Sequence, residues 1–200
     1  MSELTIDSIN KIFSIYQNYG DKGYIGESVS QLEHATQAAL SAQKDEYYNH
    51  PEVVISAFLH DIGHLLCYQD TELELMGKYG VKNHELIGQE YLKEKGFPDI
   101  ICQLVGGHVA TKRYLISKDE TYYNNLSEAS KETYKHQGGK MTSEEIKKFE
   151  EDVLFMFHLK MREYDDKAKL NDNATLEAIK KMDPVEYFRV YTIKTLFDFE

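Results

Sequence analysis

Of the eight histidines in this chain, at positions 34, 50, 60, 64, 84, 108, 136 and 158, one is followed directly by an aspartate, His60-Asp61, where an apolar run ends. Adjacent side chains on a helix point about 100° apart. Such a pair can therefore serve one metal from two sides, or two metals with the carboxylate shared between them. Alone, a histidine at a helix C-terminus is adequately explained by the helix dipole. His34 in Leu-Glu-His-Ala, His84 after a helix cap, His108 at the end of an apolar stripe and Asp165 beyond a long helical run are each ordinary as single residues. Together they read His…His-Asp…His…His…Asp. Four imidazoles and two carboxylates at the ends of buried helices form a nitrogen–oxygen ligand set suited to Fe, Mn, Co or Zn. The absence of a neighbouring thiolate argues against a structural zinc site.

The elements that must position these groups read as helices almost throughout, with three prolines and no alternating strand run. Ser28 to Gln31 reads as a capping box opening a helix to about Gln43. Pro51 starts a largely apolar helix ending near Ile62. Asn83 caps a third, with Leu86, Ile87 and Tyr91 facing inward and Gly96 stopping it. Pro98-Asp99 begins a fourth that places Ile100, Leu104 and His108 on one stripe. Thr142 to Glu145 is a second capping box, expected to open one long helix through Phe149, Val153, Phe157 and Met161. Asp183-Pro184 starts the last helix, with Phe188 and Ile193 inside. Residues 117–140 mix short helix with loop, and 167–174 read as a charged connector. Tyr16, Tyr47, Tyr48, Tyr122 and Tyr123 are taken as packing residues. His50, His136 and His158 have no place in the ligand pattern. The expectation is an all-α, bundle-like chain forming a single domain over residues 1–200.

Composition narrows the function. Of 200 residues, 23 are Lys or Arg and 34 are Asp or Glu, a formal charge of −11, which disfavours nucleic acid and anionic membranes as partners. The longest apolar stretch, Val53 to Leu59, is too short to span a bilayer. The start, Met-Ser-Glu-Leu-Thr, does not read as a signal peptide. Two cysteines, Cys67 and Cys102, are too few for a disulfide scaffold, so a cytoplasmic setting is expected.

The pattern, with its surroundings, resembles the mixed-valent di-iron oxygenase branch of the HD-domain superfamily. The resemblance covers roughly Lys22 to Leu170. It rests on Tyr-Ile-Gly-Glu (24–27), Gln-Leu-Glu-His (31–34), Leu-His-Asp-Ile-Gly-His (59–64), Tyr-Gly-Val-Lys-Asn-His (79–84), Gly-His-Val-Ala-Thr-Lys-Arg-Tyr-Leu (107–115), Tyr-Lys-His-Gln-Gly-Gly (134–139) and Leu-Lys-Met-Arg-Glu-Tyr-Asp (159–165). It implies that His34, His60, Asp61 and Asp165 hold one iron, that Asp61 bridges to a second, and that His84 and His108 complete the second site. Tyr24 matches a tyrosine that ligates the second iron until substrate displaces it. Glu27 matches a carboxylate answering a substrate ammonium. His64, Lys112, Ser130, Gln137 and Arg162 fall where the branch binds a phosphonate.

The chemistry is consistent with that resemblance. An Fe(II)/Fe(III) pair carries +5 against −2 from two aspartates, so the centre would attract a phosphonate dianion. Lys112, four residues after His108, and Arg162, three before Asp165, would add cations at the cavity. The resemblance implies O₂-dependent cleavage of the carbon–phosphorus bond of a 2-amino-1-hydroxyethylphosphonate to glycine and phosphate. Its rivals are the same reaction on the N-trimethyl analogue, a metal-dependent phosphohydrolase of the HD type, and a catalytically idle metal-binding regulator.

Overall fold

The computed structural model describes residues 3–24, 26–69 and 72–197. Met1 and Ser2 of the amino-terminal reading, Ile25 of the Tyr24–Glu27 motif and positions 198–200 of the last helix lie outside them. Among the described residues the regular structure is helical, with two isolated β-bridges, Gly23 to Ser30 and Leu75 to Val81. No helix there is long and apolar enough to cross a membrane.

Helix α1 (Ile6–Tyr19) is capped by Thr5, whose side chain accepts from the Ser8 N–H, and buries Ile9, Ile12, Phe13 and Tyr16. Helix α2 (Gln31–Gln43) begins two residues later than the expected box would have it. The reciprocal bonds are made by Ser30 and Glu33 rather than Ser28 and Gln31, because a glutamate at the third position can return a bond to the cap N–H. Helix α3 (Pro51–Leu59) is buried on every side from Val53 onward, as its apolar run requires. It stops before Asp61, whose φ of −103° and ψ of 13° lie outside the helical range, and α4 (Ile62–Leu65) restarts the chain in a new direction. A short 3₁₀ turn, Leu66–Tyr68, follows.

Helix α5 (His84–Glu94) starts after Asn83, which adopts a left-handed conformation (φ 56°) and makes no side-chain cap bond. Asparagine tolerates that conformation, so its contribution is backbone geometry rather than capping. Leu86, expected inside, is 51% exposed, whereas Leu92 is fully buried. Helix α6 (Asp99–Lys118) carries His108 and Lys112 on its buried side. The ambiguous stretch resolves into α7 (Glu120–Asn125) and α8 (Glu128–His136). The expected long helix is two helices. Thr142 and Glu145 form the predicted box for α9 (Ser143–Glu150), but the chain then turns and Val153 is 93% exposed. Helix α10 (Phe155–Lys167) follows and contains Asp165, which therefore sits within a helix rather than past it. Helices α11 (Asn173–Met182) and α12 (Pro184–Leu196) close the chain. Asp183, expected as an N-cap, is left-handed (φ 51°) and makes no side-chain bond.

Helix α3 is central, packed by α2, α6, α10 and α12, while α5 lies along α6. In its last turn, Phe58 is enclosed by Phe13 (centroids 5.4 Å apart), Tyr16 (4.7 Å) and Phe188 (4.7 Å). The Tyr16 hydroxyl donates to the Phe58 carbonyl at 3.0 Å. Two glycines permit close approach nearer the polar end. A Cβ on Gly63 would lie 2.0 Å from the His84 carbonyl oxygen, and one on Gly107 would lie 2.2 Å from the His158 ring.

Candidate metal centre

The polar end of α3 is built from groups far apart in the chain. His34 comes from α2, His60 and Asp61 from the break after α3, His84 from the first residue of α5, His108 from α6 and Asp165 from α10. All six are buried, none more than 6% exposed. Each imidazole is oriented by a backbone carbonyl. His34 Nδ1 lies 2.8 Å from the Ala168 oxygen, His60 Nδ1 2.8 Å from that of Ala57, His84 Nδ1 3.3 Å from that of Val81, and His108 Nδ1 2.8 Å from that of Val105. A carbonyl only accepts, so these contacts place the proton on Nδ1 and leave the Nε2 lone pair free as a ligand.

The lone pairs converge in two places. His34 Nε2 and His60 Nε2 are 3.1 Å apart, and His84 Nε2 and His108 Nε2 are 3.0 Å apart. Neutral imidazoles protonated on Nδ1 have no proton between their Nε2 atoms, so each gap suits a cation. Asp61 lies between them. Its Oδ2 faces His34 at 3.6 Å and His60 at 3.3 Å, and its Oδ1 faces His84 at 3.3 Å and His108 at 3.4 Å. Asp165 Oδ1 joins the first group, 3.4 Å from His34 and 3.9 Å from His60. Two clusters of potential ligands thus share one carboxylate, and the donor set fits two nitrogen- and oxygen-liking cations.

The electrostatics agree. Burial opposes charge on Asp61, but His60, His108 and His84 hold its carboxyl well below the ordinary carboxylate range. Burial likewise opposes charge on His60, yet Asp61 and Asp165 outweigh it and push the imidazole up to about 9. A bound metal ion would take the place of that proton.

A cavity of about 40 Å³ opens on this cluster. Its walls include Tyr24, Glu27, Asp61, His64, His84, His108, Lys112, Ser130, Gln137, Arg162 and Asp165, so the structure brings the residues expected to meet substrate against the metal ligands. The Tyr24 ring stacks on His34 with centroids 3.8 Å apart, and its buried hydroxyl lies in the field of Asp61 and Asp165. Burial, then the negative Asp61, raises its pKa well above the ordinary value. His64 stacks on His84, also at 3.8 Å. The Val81 N–H donates to His64 Nδ1 at 3.1 Å while the Val81 carbonyl receives His84 Nδ1. The backbone of one residue thus sets opposite tautomers: His84 offers a lone pair and His64 an Nε2–H. Burial and the neighbouring His84 keep His64 well below its ordinary pKa, hence neutral.

Lys112 is 3% exposed. It donates to Thr133 Oγ1 at 2.9 Å, and burial together with nearby Arg162 lowers it to about 7. Arg162 donates through Nη1 to Asp165 (2.7 Å) and through Nε to the Tyr122 hydroxyl (2.8 Å), and also pairs with Asp166. Gln137 has a buried side-chain oxygen with no hydrogen-bond partner; the alternative amide orientation would present a donor there.

Several cavity residues escaped the sequence reading. Tyr122, taken as packing, braces Arg162 and donates to Asp166 at 2.5 Å. Thr133, Tyr79 and Lys169 also line the cavity. Lys169 belongs to the segment taken as a charged connector; nothing in its local sequence marks it, because its partners come from elsewhere in the chain. His158, left out of the pattern, is buried against Gly107 rather than in the metal cluster.

The HD domain family matches residues 32–174. The chain belongs to that family. It is 43% identical over 194 residues, 97% of this chain and 84% of the relative, to an uncharacterized protein of Acanthamoeba polyphaga mimivirus. It is also 35% identical to the [1-hydroxy-2-(trimethylamino)ethyl]phosphonate dioxygenase (glycine-betaine-forming) of Leisingera caerulea, over 88% of this chain and 90% of that one. Identity to the hydroxymethylphosphonate dioxygenase of Gimesia maris is 35%, over 85% of this chain and 82% of the relative.

Proposed function

We propose that this protein is an HD-domain oxygenase that uses O₂ and two iron ions, in the mixed-valent Fe(II)/Fe(III) state, to cleave the carbon–phosphorus bond of a small 1-hydroxyphosphonate. The observation that carries the reading is Asp61, with one oxygen facing His34 and His60 and the other facing His84 and His108, beside a cavity walled by cationic side chains. The two relatives named for phosphonates act, by those names, on molecules sharing a hydroxyl-bearing carbon attached to phosphorus.

His34, His60, Asp61 and Asp165 would hold one iron; Asp61, His84 and His108 would hold the second, with Tyr24 as its ligand until substrate arrives. Bound iron supplies O₂ activation and the redox chemistry that removes hydrogen from C1. The net change balances without another reactant: R–CH(OH)–PO₃²⁻ and O₂ give R–COO⁻ and H₂PO₄⁻, with four electrons passing from C1 to oxygen. The C1–H and C1–P bonds break, one oxygen atom ends on carbon and one on phosphorus.

The chain's own residues bind and orient. Arg162 and Lys112 face the phosphonate, and a phosphonate beside Lys112 favours its charged form. His64, held neutral with Nε2–H by Val81, donates a hydrogen bond to a phosphonate oxygen. Ser130 and Gln137 serve the same group. Tyr24, stacked on the His34 ring beside Asp61, closes the site to O₂ until substrate takes its place. Burial of the cluster keeps bulk water from the reacting carbon.

Anaerobic iron loading, metal analysis and electron paramagnetic resonance before and after adding substrate test the centre; two irons per chain and a substrate-dependent signal are expected. Phosphate release measured in air and under argon tests the reaction. Release that tracks O₂ consumption supports the oxygenase, whereas equal release under argon would assign the site to hydrolysis. An iron-loaded, reduced protein with no turnover would leave only a metal-binding role.

A further inference from the structure

Glu27, matched to a carboxylate that answers a substrate ammonium, already faces an ammonium of the chain, although its buried Oε1 accepts no hydrogen bond. Lys169 Nζ lies 3.3 Å from Glu27 Oε1 and donates to Ser130 Oγ at 3.2 Å. Both side chains are largely enclosed, 15% exposed for Glu27 and 17% for Lys169, and both line the cavity over the metal cluster. The other carboxylates in the cavity wall are Asp61 and Asp165, which are turned to the histidines. The chain therefore brings its own ammonium to the one cavity carboxylate that remains for a cation.

From this pair we infer that the protein selects a 1-hydroxyphosphonate whose C1 substituent is small and uncharged, hydroxymethylphosphonate being the simplest, and that Lys169 excludes amines. The inference rests on the oxygenase reading and refines its substrate class. An incoming ammonium must either displace Lys169 from Glu27 or share Glu27 with a second like charge in a poorly hydrated space, and both are unfavourable. A neutral substituent leaves the pair intact. An anionic one faces Glu27. Specificity here works by a repulsive element as much as an attractive one.

Zinc-loaded protein under argon gives the binding readout without turnover. Calorimetric titration is expected to show hydroxymethylphosphonate binding at least tenfold tighter than 2-amino-1-hydroxyethylphosphonate. In Lys169→Met the ratio of the two affinities moves at least tenfold toward the amine, since Glu27 is released; Lys169→Arg keeps the parent preference and shows that charge, not shape, sets it. Tighter amine binding by the parent overturns the inference, as does a ratio that Lys169→Met leaves in place. Iron-loaded enzyme in air separates the two readings. Oxidative turnover with the amine preferred defeats the specificity inference alone, and selective binding without O₂-dependent phosphate release defeats the oxygenase reading alone. Binding of neither phosphonate overturns both.

Discussion

The last turn of helix α3 faces a hydrocarbon core on one side, at Phe58, and a cluster of ionisable groups on the other, from His60 onward. At one side Phe13, Tyr16, Phe58 and Phe188 bury aromatic surface with one polar contact, the Tyr16 hydroxyl on a backbone carbonyl. At the other, four imidazoles, two carboxylates, a lysine and an arginine are equally buried. Folding gains from the first region, because removing apolar surface from water is favourable whatever is bound. The second gains little by itself. Desolvation opposes its charges, and its Nε2 pairs face one another at about 3 Å until a cation separates them. Ordered ligands that fit a metal are a functional arrangement that the apolar side must stabilise.

The sharpest way to break this contrast is Asp61→Asn, which keeps volume and removes the shared charge. Metal content should fall from two per chain to at most one, and phosphate release should fall at least about 10³-fold, on the order of 4 kcal/mol in the transition state. Under chelator, its thermal midpoint should stay close to that of the parent. A large loss of metal-free stability would contradict the view that the polar side contributes little to folding.

Phe58→Ala should do the reverse. Truncating a fully buried phenylalanine costs about 3–5 kcal/mol, which for a chain of this size lowers the melting temperature by roughly 10 °C. The fraction that remains folded should still bind two metals per chain. If metal stoichiometry fell with stability, the two sides would be one cooperative unit and the comparison would fail.

Lys112→Met gives the smallest and most specific effect. The ammonium is lowered from its ordinary 10.5 to about 7 mainly by burial. A lowered amine binds fewer protons in the folded than in the unfolded state between those values, so stability rises with pH across that window. The destabilisation by Lys112 is thus fully present below pH 7 and fades above it. In metal-loaded protein, Lys112→Met should melt higher than the parent by on the order of 1 kcal/mol near pH 6.5, with the gap narrowing by pH 9. It should also bind phosphonate about tenfold more weakly at the lower pH. A gap that widens with pH would refute this assignment.

Much of the centre was legible because metal ligands must be of a few residue types and must sit on rigid elements. His34, His60, Asp61, His84, His108 and Asp165 stand out in an otherwise helical pattern, and the structure brings all six together. Local signals served less well where two were plausible. Ser28 and Ser30 both offered a cap, and only Ser30 has a glutamate three residues on. The helical period running through Val153 concealed the turn between α9 and α10, since a periodic pattern can continue across a chain reversal.

Residue types, helical periodicity and charge determined the class of fold, the kind of ligand set and the cations expected near it, because these depend on composition and on contacts within a few residues. The tertiary structure alone decided that the two oxygens of Asp61 divide between separate histidine pairs, that Tyr122 braces Arg162, and that Lys169 reaches Glu27. Each of these depends on the path of intervening helices, and electrostatic and hydrogen-bonding distances of about 3 Å between distant segments leave no periodic trace along the chain.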